Sequence, residues 1–184
     1  MLVDTPALYN EVEQILKTED RLIVDVETNG LDAFGMNQIC GVGVASLKGE
    51  TYYFPFRHQQ GNNLSPDILR QLMHVLSSCS TLIGYNIKFD LHFLQKEGLQ
   101  LLDTRLVDVI VMVRLIESAS VKDLGLTQTI KRRYGEKNAQ YDIDTKKLLR
   151  SNKWNKDFSL APPDILGPYC EQDVYWTRQL YIDT

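Results

Sequence analysis

The stretch that most constrains this chain is Arg21-Leu22-Ile23-Val24-Asp25-Val26-Glu27-Thr28-Asn29-Gly30-Leu31-Asp32. Its apolar members predict a buried strand ending in a turn, and folding alone would exclude carboxylates from such a strand. Successive strand side chains point to opposite faces, so Asp25 and Glu27 share one face while Val24 and Val26 share the other. At a separation of about 4 Å, two like charges repel by roughly 1 kcal/mol in water and roughly 4 kcal/mol at an effective dielectric near 20. Carboxylates held that close call for a positive charge between them, and magnesium or manganese is the natural candidate. Acids at a strand end that turn into solvent fit the same letters, so this segment by itself leaves both readings open.

With 184 residues, 43% hydrophobic and 24% charged, the chain has ordinary globular composition, and one domain over residues 1–184 is predicted. No apolar run approaches the roughly 20 residues that span a bilayer, and the N-terminus lacks the basic start and apolar core of a signal peptide. A non-secreted, cytoplasmic protein without a membrane partner is therefore expected. Cys40, Cys79 and Cys170 are odd in number and widely spaced, which predicts reduced thiols and neither disulfides nor zinc ligands. A net charge of -4 argues against a simple basic nucleic-acid binder. Its distribution does not: between Lys122 and Lys156 ten Lys or Arg stand against four acids, leaving +6 there and -10 elsewhere. Such a division suits a protein that holds a phosphate backbone beside a cluster of carboxylates, and it also suits a solvated helical face.

Along the chain, Thr5 and Pro6 predict the start of an amphipathic helix over 5–18 with the stripe Leu8, Val12, Ile15 and Leu16, packed at the sheet edge. Ile39–Ser46 and Thr51–Phe56 are strands joined by the Lys48-Gly49-Glu50 turn, so the first three strands should form an antiparallel meander. A helix is expected from Ser65-Pro66 to about Ser78, a strand over Thr81–Tyr85 and a helix over Asn86–Glu97 that stops at Gly98. A last short strand is expected over Leu101–Asp103, with helices over Thr104–Glu117 and Leu124–Tyr134. The segment 135–163 is polar, with Lys146–Arg150 expected to be helical and its irregular stretches mobile, and Pro168 should begin the final helix, which runs to about Tyr181. Strands interleaved with helices in this way describe an α/β mixed sheet with helices on its faces.

Two further pairs share the helical interval of four: Asn86 with Asp90, just after a strand, and Tyr169 with Asp173 on the last helix. Singly, each has a structural explanation, since Asp favours the first turn of a helix and Tyr on an amphipathic helix fills core. In order, Asp25-Val26-Glu27, Asn86-Ile87-Lys88-Phe89-Asp90 and Tyr169-Cys170-Glu171-Gln172-Asp173 resemble the three motifs of the proofreading 3′-to-5′ exonuclease domain of family A DNA polymerases. This is the tyrosine branch of the Asp-Glu-Asp-Asp exonucleases. The Thr28-Asn29-Gly30-Leu31 run after Glu27 and the Tyr52-Tyr53-Phe54-Pro55 run are also similar to that family.

The resemblance implies an RNase H-like fold and two divalent ions, Mg²⁺ or Mn²⁺. It implies that Asp25, Glu27 and Asp173 hold one ion, that Asp25 bridges to the second, and that Asp90 supports the second through water. Phosphodiester hydrolysis needs an activated water and compensation of charge on the leaving 3′ oxygen, which two ions about 4 Å apart supply. Tyr169, with a reference pKa near 10, would orient that water and not act as a strong base. The resemblance further implies that Leu31 wedges against terminal bases, that Thr28 and Asn86 lie near the last nucleotide and that Phe89 lies along its sugar. Lys131, Arg132 and Arg133 are candidates for strand phosphates. None of His58, His74 and His92 falls in the last helix, so all three are expected to be structural or superficial. The implied partners are single-stranded DNA or a DNA 3′ end, and a DNA polymerase in cis or in trans. An RNA-trimming enzyme of the RNase D type and a catalytically inactive DNA-binding module of the same fold remain the alternatives.

Overall fold

The computed structural model describes residues 1–117 and 119–184. Its single sheet runs in the spatial order β3-β2-β1-β4-β5, with β1 at Arg21–Thr28, β2 at Ile39–Ser46, β3 at Thr51–Pro55, β4 at Thr81–Gly84 and β5 at Arg105–Asp108. The first three strands are the predicted antiparallel meander, while β4 and β5 add on in parallel. Parallel neighbours require a crossover. Helices α2 (Pro66–Ser78) and α3 (Ile87–Lys96) supply them between β3 and β4 and between β4 and β5.

The alternation of β1 divides the interior into two cores. Leu22, Val24 and Val26 pack with Phe54, Leu72 and Leu94 on one face. Ile23 packs with Ile83, Val109, Val174 and Leu180 on the other. Helix α1 (Pro6–Leu16) belongs to the first core, where the Tyr9 ring meets the edge of Phe54 at a centroid distance of 6.0 Å. Its buried stripe is Tyr9, Val12 and Leu16, and the predicted Ile15 is 46% exposed. The amphipathic Tyr9 buries its ring and turns its hydroxyl toward Glu13.

Four predicted elements differ from those observed. The last strand is Arg105–Asp108 and not Leu101–Asp103, because the open edge of β4 pairs Thr81 with Arg105 and Gly84 with Asp108. The next helix, α4, is confined to Val109–Ile116 and does not begin at Thr104. The Asp108 carboxylate caps it, accepting from the Ile110 N–H at 3.2 Å. In the polar region 135–163 the helix expected over Lys146–Arg150 is longer, α6 (Gln140–Ser151), and it packs against α7 (Pro163–Asp183) and against the short turn Glu136–Ala139 that follows α5 (Leu126–Tyr134). Finally, Pro168 lies inside α7 and does not open it. Its missing N–H leaves the Asp164 carbonyl without an intrahelical donor, and both residues are exposed, so water can serve instead. The core contacts of Leu166, Val174 and Leu180 hold the helix together across that gap.

The three cysteines are free and buried. His58 is a core histidine, bonded to the Tyr53 hydroxyl at 2.8 Å and to the Ala161 carbonyl at 2.6 Å. Among the described residues, no helix is long and apolar enough to cross a membrane.

Candidate active site

Asp25 and Glu27 leave β1 on the face that carries Ile23, toward α7, as the two-residue period requires. Their partners on β2 are glycines, Gly43 opposite Asp25 and Gly41 opposite Glu27. A Cβ on Gly43 would stand 2.6 Å from the Cys170 sulfur and 3.1 Å from Val174, and one on Gly41 would fall on the Tyr53 hydroxyl. The missing side chains let α7 lie directly on the sheet, which brings Tyr169, Cys170 and Asp173 down to the two acids. Ligand atoms of Asp25, Glu27 and Cys170 all lie within 4.8 Å of one another, and the Cys170 thiol donates to Asp25 Oδ2 at 3.6 Å. Next to Glu27 the β1–β2 register shifts, a bulge that ends regular pairing beside the site.

Asp90 arrives from the other edge of β1. Pairing with β4 ends at Ile23 opposite Ile83, so the later N–H of Val26 is free to donate to Asp90 Oδ1, at 3.0 Å. The junction that aims Asp90 is braced as well. Asn86 sits in the left-handed region (φ 60°, ψ 44°), which Asn tolerates, and its N–H donates to Asp108 Oδ1 at 2.8 Å. One carboxylate thus ties the β4–α3 turn to the start of α4.

Three segments far apart in sequence therefore bring four acids into one electrostatic cluster. Burial raises the pKa of Asp25, Glu27 and Asp173 well above the usual carboxylate range. The charge of Asp90 raises Asp25 further, those of Asp25, Asp173 and Asp90 raise Glu27, and that of Asp25 raises Asp173. Burial pushes Asp90 up to about 8 against the opposing Val26 hydrogen bond. Glu27 and Asp90 are only 4% and 3% exposed, so water does little to relieve the repulsion. A donor set made of carboxylate oxygens crowded in this way fits a hard divalent cation, whose charge would offset theirs.

These shifts give a stability prediction with a definite sign. Each raised pKa means the fold holds a proton that the unfolded chain has released above about pH 4. The stabilisation is therefore fully present in acid and is lost as pH rises through the folded values, a window of roughly 4 to 8 for Asp90. In chelator, the melting temperature should fall between pH 5 and pH 8 by on the order of 8–17 °C, from about 1.4 kcal/mol per unit over three units and about 2–4 °C per kcal/mol. Saturating Mn²⁺ should remove most of that fall. Thermal melts at several pH values with and without the ion check it.

The residues that sequence reasoning missed come mainly from α6. The Tyr141 hydroxyl donates to Asp173 Oδ1 at 2.6 Å, and the Tyr169 hydroxyl donates to Asp142 Oδ1 at 3.2 Å. Lys146 pairs with the same Asp142 oxygen at 2.6 Å. With a helix expected only over Lys146–Arg150, nothing placed Tyr141 and Asp142 beside the acids, although Asp142, Lys146 and Arg150 recur at the helical interval of four. Cys170 was visible within the third motif. Burial and the neighbouring carboxylates of Asp173, Glu27, Asp142 and Asp25 hold Tyr169 protonated, its pKa lying well above that of a free phenol.

The expected substrate contacts divide. Leu31 is 85% exposed and, with Thr28, Lys156 and Phe158, lines a 240 Å³ cavity beside the β1–β2 loop. The Thr28 hydroxyl is spent on the Gly30 carbonyl at 2.7 Å, so it has no donor left for a nucleotide. Asn86 is exposed at the α3 N-terminus, and Phe89 is half-buried against Phe93 at 5.1 Å. Of the basic trio, Arg132 and Arg133 are held by Glu117 at 2.8 and 3.4 Å, and Arg133 also donates to Thr184, which leaves Lys131 as the available cation.

An antiparallel meander extended by parallel strands, with helices on both faces and acids from β1, α3 and α7 meeting on one side, defines an RNase H-like nuclease fold. The chain belongs to the 3′-5′ exonuclease family of the DNA polymerase A type, whose family model matches residues 1–183. Members of this family are hydrolases that cut phosphodiester bonds and use divalent metal ions. The chain is 28% identical over 186 residues to DNA polymerase I of Synechocystis sp., a match that covers 95% of this chain and 17% of that polymerase. It also superposes on solved structures from Trypanosoma brucei. The RNase D: GMP complex gives a TM-score of 0.69 at 15% identity, covering 99% of this chain and 55% of that one. The catalytic core of RRP6 gives 0.57 at 14% identity, covering 97% and 45%. The chain therefore spans about a sixth of that polymerase and about half of each of those two structures.

Proposed function

We propose that this domain removes nucleotides from the 3′ ends of single-stranded or frayed DNA, releasing nucleoside 5′-monophosphates, and that it serves polymerase proofreading. Asp25, Glu27, Asp90 and Asp173 are the metal ligands in this reading, with Mg²⁺ or Mn²⁺ as the ions. The observation that carries it is the convergence of four acids, buried Glu27 and Asp90 with half-buried Asp25 and Asp173, and of Tyr169, from three separate segments onto one side of the sheet.

Ions bound there would lower the pKa of an attacking water and stabilise charge on the leaving 3′ oxygen. The protein's own part is positional. The Val26 N–H fixes the orientation of the Asp90 carboxylate, and the Tyr141 hydroxyl fixes that of Asp173. Because the Tyr169 hydroxyl proton is committed to Asp142, what the phenol offers the site is an acceptor lone pair. That suits orienting a water by accepting one of its hydrogens; a phenol with a raised pKa has no capacity to act as a base near neutrality. Exposed Leu31 provides an apolar face for a terminal base, a contact worth about 1–3 kcal/mol and indifferent to sequence.

The test is digestion of a 5′-labelled oligonucleotide with Mg²⁺, with Mn²⁺ and with chelator. A ladder shortening from the 3′ end only with metal, with monophosphate products, is the expected result. Internal cuts, or cutting in chelator, would overturn the proposal. An RNA-trimming role uses the same residues, and matched DNA and RNA oligonucleotides separate the two by rate.

Tyr169→Phe removes the acceptor and should lower kcat by about 100-fold, within the range for a positioned group. KM should change little. A loss confined to KM would mean that Tyr169 serves binding instead.

A further inference from the structure

We propose that the groove between α5 and α6 is the track for the substrate's backbone, holding phosphates of the digested strand on Lys131, Lys146 and Arg150. This rests on the exonuclease reading above. The groove has a volume of about 390 Å³, and Lys131 in the last turn of α5 faces Lys146 and Arg150 across it. Asp142, Lys146 and Arg150 follow one another at intervals of four along α6, a rise of about 6 Å each, and so form one line on a single helix face. The first member of that line holds the Tyr169 hydroxyl, and its neighbour Tyr141 holds Asp173. The track therefore starts at the acid cluster and leads away from it.

The charges are arranged for an anion. Among the described residues, Lys131 and Arg150 have no ion-pair or hydrogen-bond partner for their side chains. Both acids of the groove are already engaged: Asp142 by Lys146 and Tyr169, and Asp123 by the Gly125 N–H at 2.9 Å. Lys146 can exchange its carboxylate for a phosphate without leaving the groove. No aromatic ring lines the walls, so the contacts are to the backbone and carry no sequence preference.

Phosphate neutralisation makes a quantitative prediction. On single strands, each cation–phosphate contact contributes about 0.7 to the slope of log K against log salt. Binding of a fluorescent oligothymidylate to the full chain, measured by anisotropy in chelator over a series of salt concentrations, should give a slope about 1.4 smaller for Lys131→Ala/Arg150→Ala than for wild type. The same variant should raise KM on a long oligonucleotide by a larger factor than on a dinucleotide, which spans less of the groove. Arg70→Ala on α2, across the sheet, is the control and should keep the wild-type slope. If wild type digests oligonucleotides while the double variant keeps its slope, or if Arg70→Ala lowers the slope equally, the track is wrong and the exonuclease reading survives. If wild type digests nothing with Mn²⁺, the exonuclease reading fails and the track fails with it.

Discussion

Asp25→Asn is expected to lower turnover on a labelled oligonucleotide at least about a thousandfold in Mn²⁺, a barrier increase of about 4 kcal/mol at roughly 1.4 kcal/mol per factor of ten. Asp25 interacts electrostatically with Asp90, Glu27 and Asp173, and its thiol contact with Cys170 anchors it to α7. The substitution keeps the side chain's shape and removes one charge from the middle of the cluster. Any cation held there loses a shared ligand. The same change should leave the chelated protein as stable as wild type or make it more stable, because the acid sits in a crowded, repulsive patch. Initial rates together with thermal melts in chelator check both halves. A variant within tenfold of wild-type rate would remove Asp25 from the chemistry. A marked loss of stability in chelator would show instead that its carboxylate has a structural partner.

Gly43→Val should be the most damaging change outside the acids. The new Cβ would meet the Cys170 sulfur at 2.6 Å and Val174 at 3.1 Å, in a core where both contacts are fully buried. Overpacking of this kind costs about 1–3 kcal/mol, and the route of relief is for α7 to lift from the sheet. Asp173 and Tyr169 ride on that helix. A displacement of about 1 Å can cost a hundredfold in rate, so activity should fall by about that factor or more while the fold survives. Gly43→Ala should follow the same direction with a smaller loss. A Gly43→Val protein that melts several degrees lower yet retains full turnover would show that α7 has freedom this packing denies it, and that the glycines do not set the position of Asp173.

The alternation of Val24, Asp25, Val26 and Glu27 by itself determined that two acids share a face, since the period of a strand is a local property. In the same way, β-branched runs with short turns determined the meander, and intervals of four paired Asn86 with Asp90 and Tyr169 with Asp173. Family resemblance in the three motifs then reached the class of chemistry. Other features are not local. The edge of β4 selected Arg105–Asp108 over Leu101–Asp103 because hydrogen-bonding partners, and not apolar content, decide where an edge strand forms. Packing against α7 and the Glu136–Ala139 turn made a helix of 140–151 whose sequence is mostly polar, and core contacts on either side carried α7 through Pro168. The arrival of Tyr141, Asp142 and Lys146 beside the acids, and the use of Gly41 and Gly43 as the floor under α7, depend on which surfaces meet. A sequence records which side chains exist and which face of its own element each takes. Distances between elements come only from the packing of those faces, and both the electrostatics of the acid cluster and the line of cations leading from it are functions of distance.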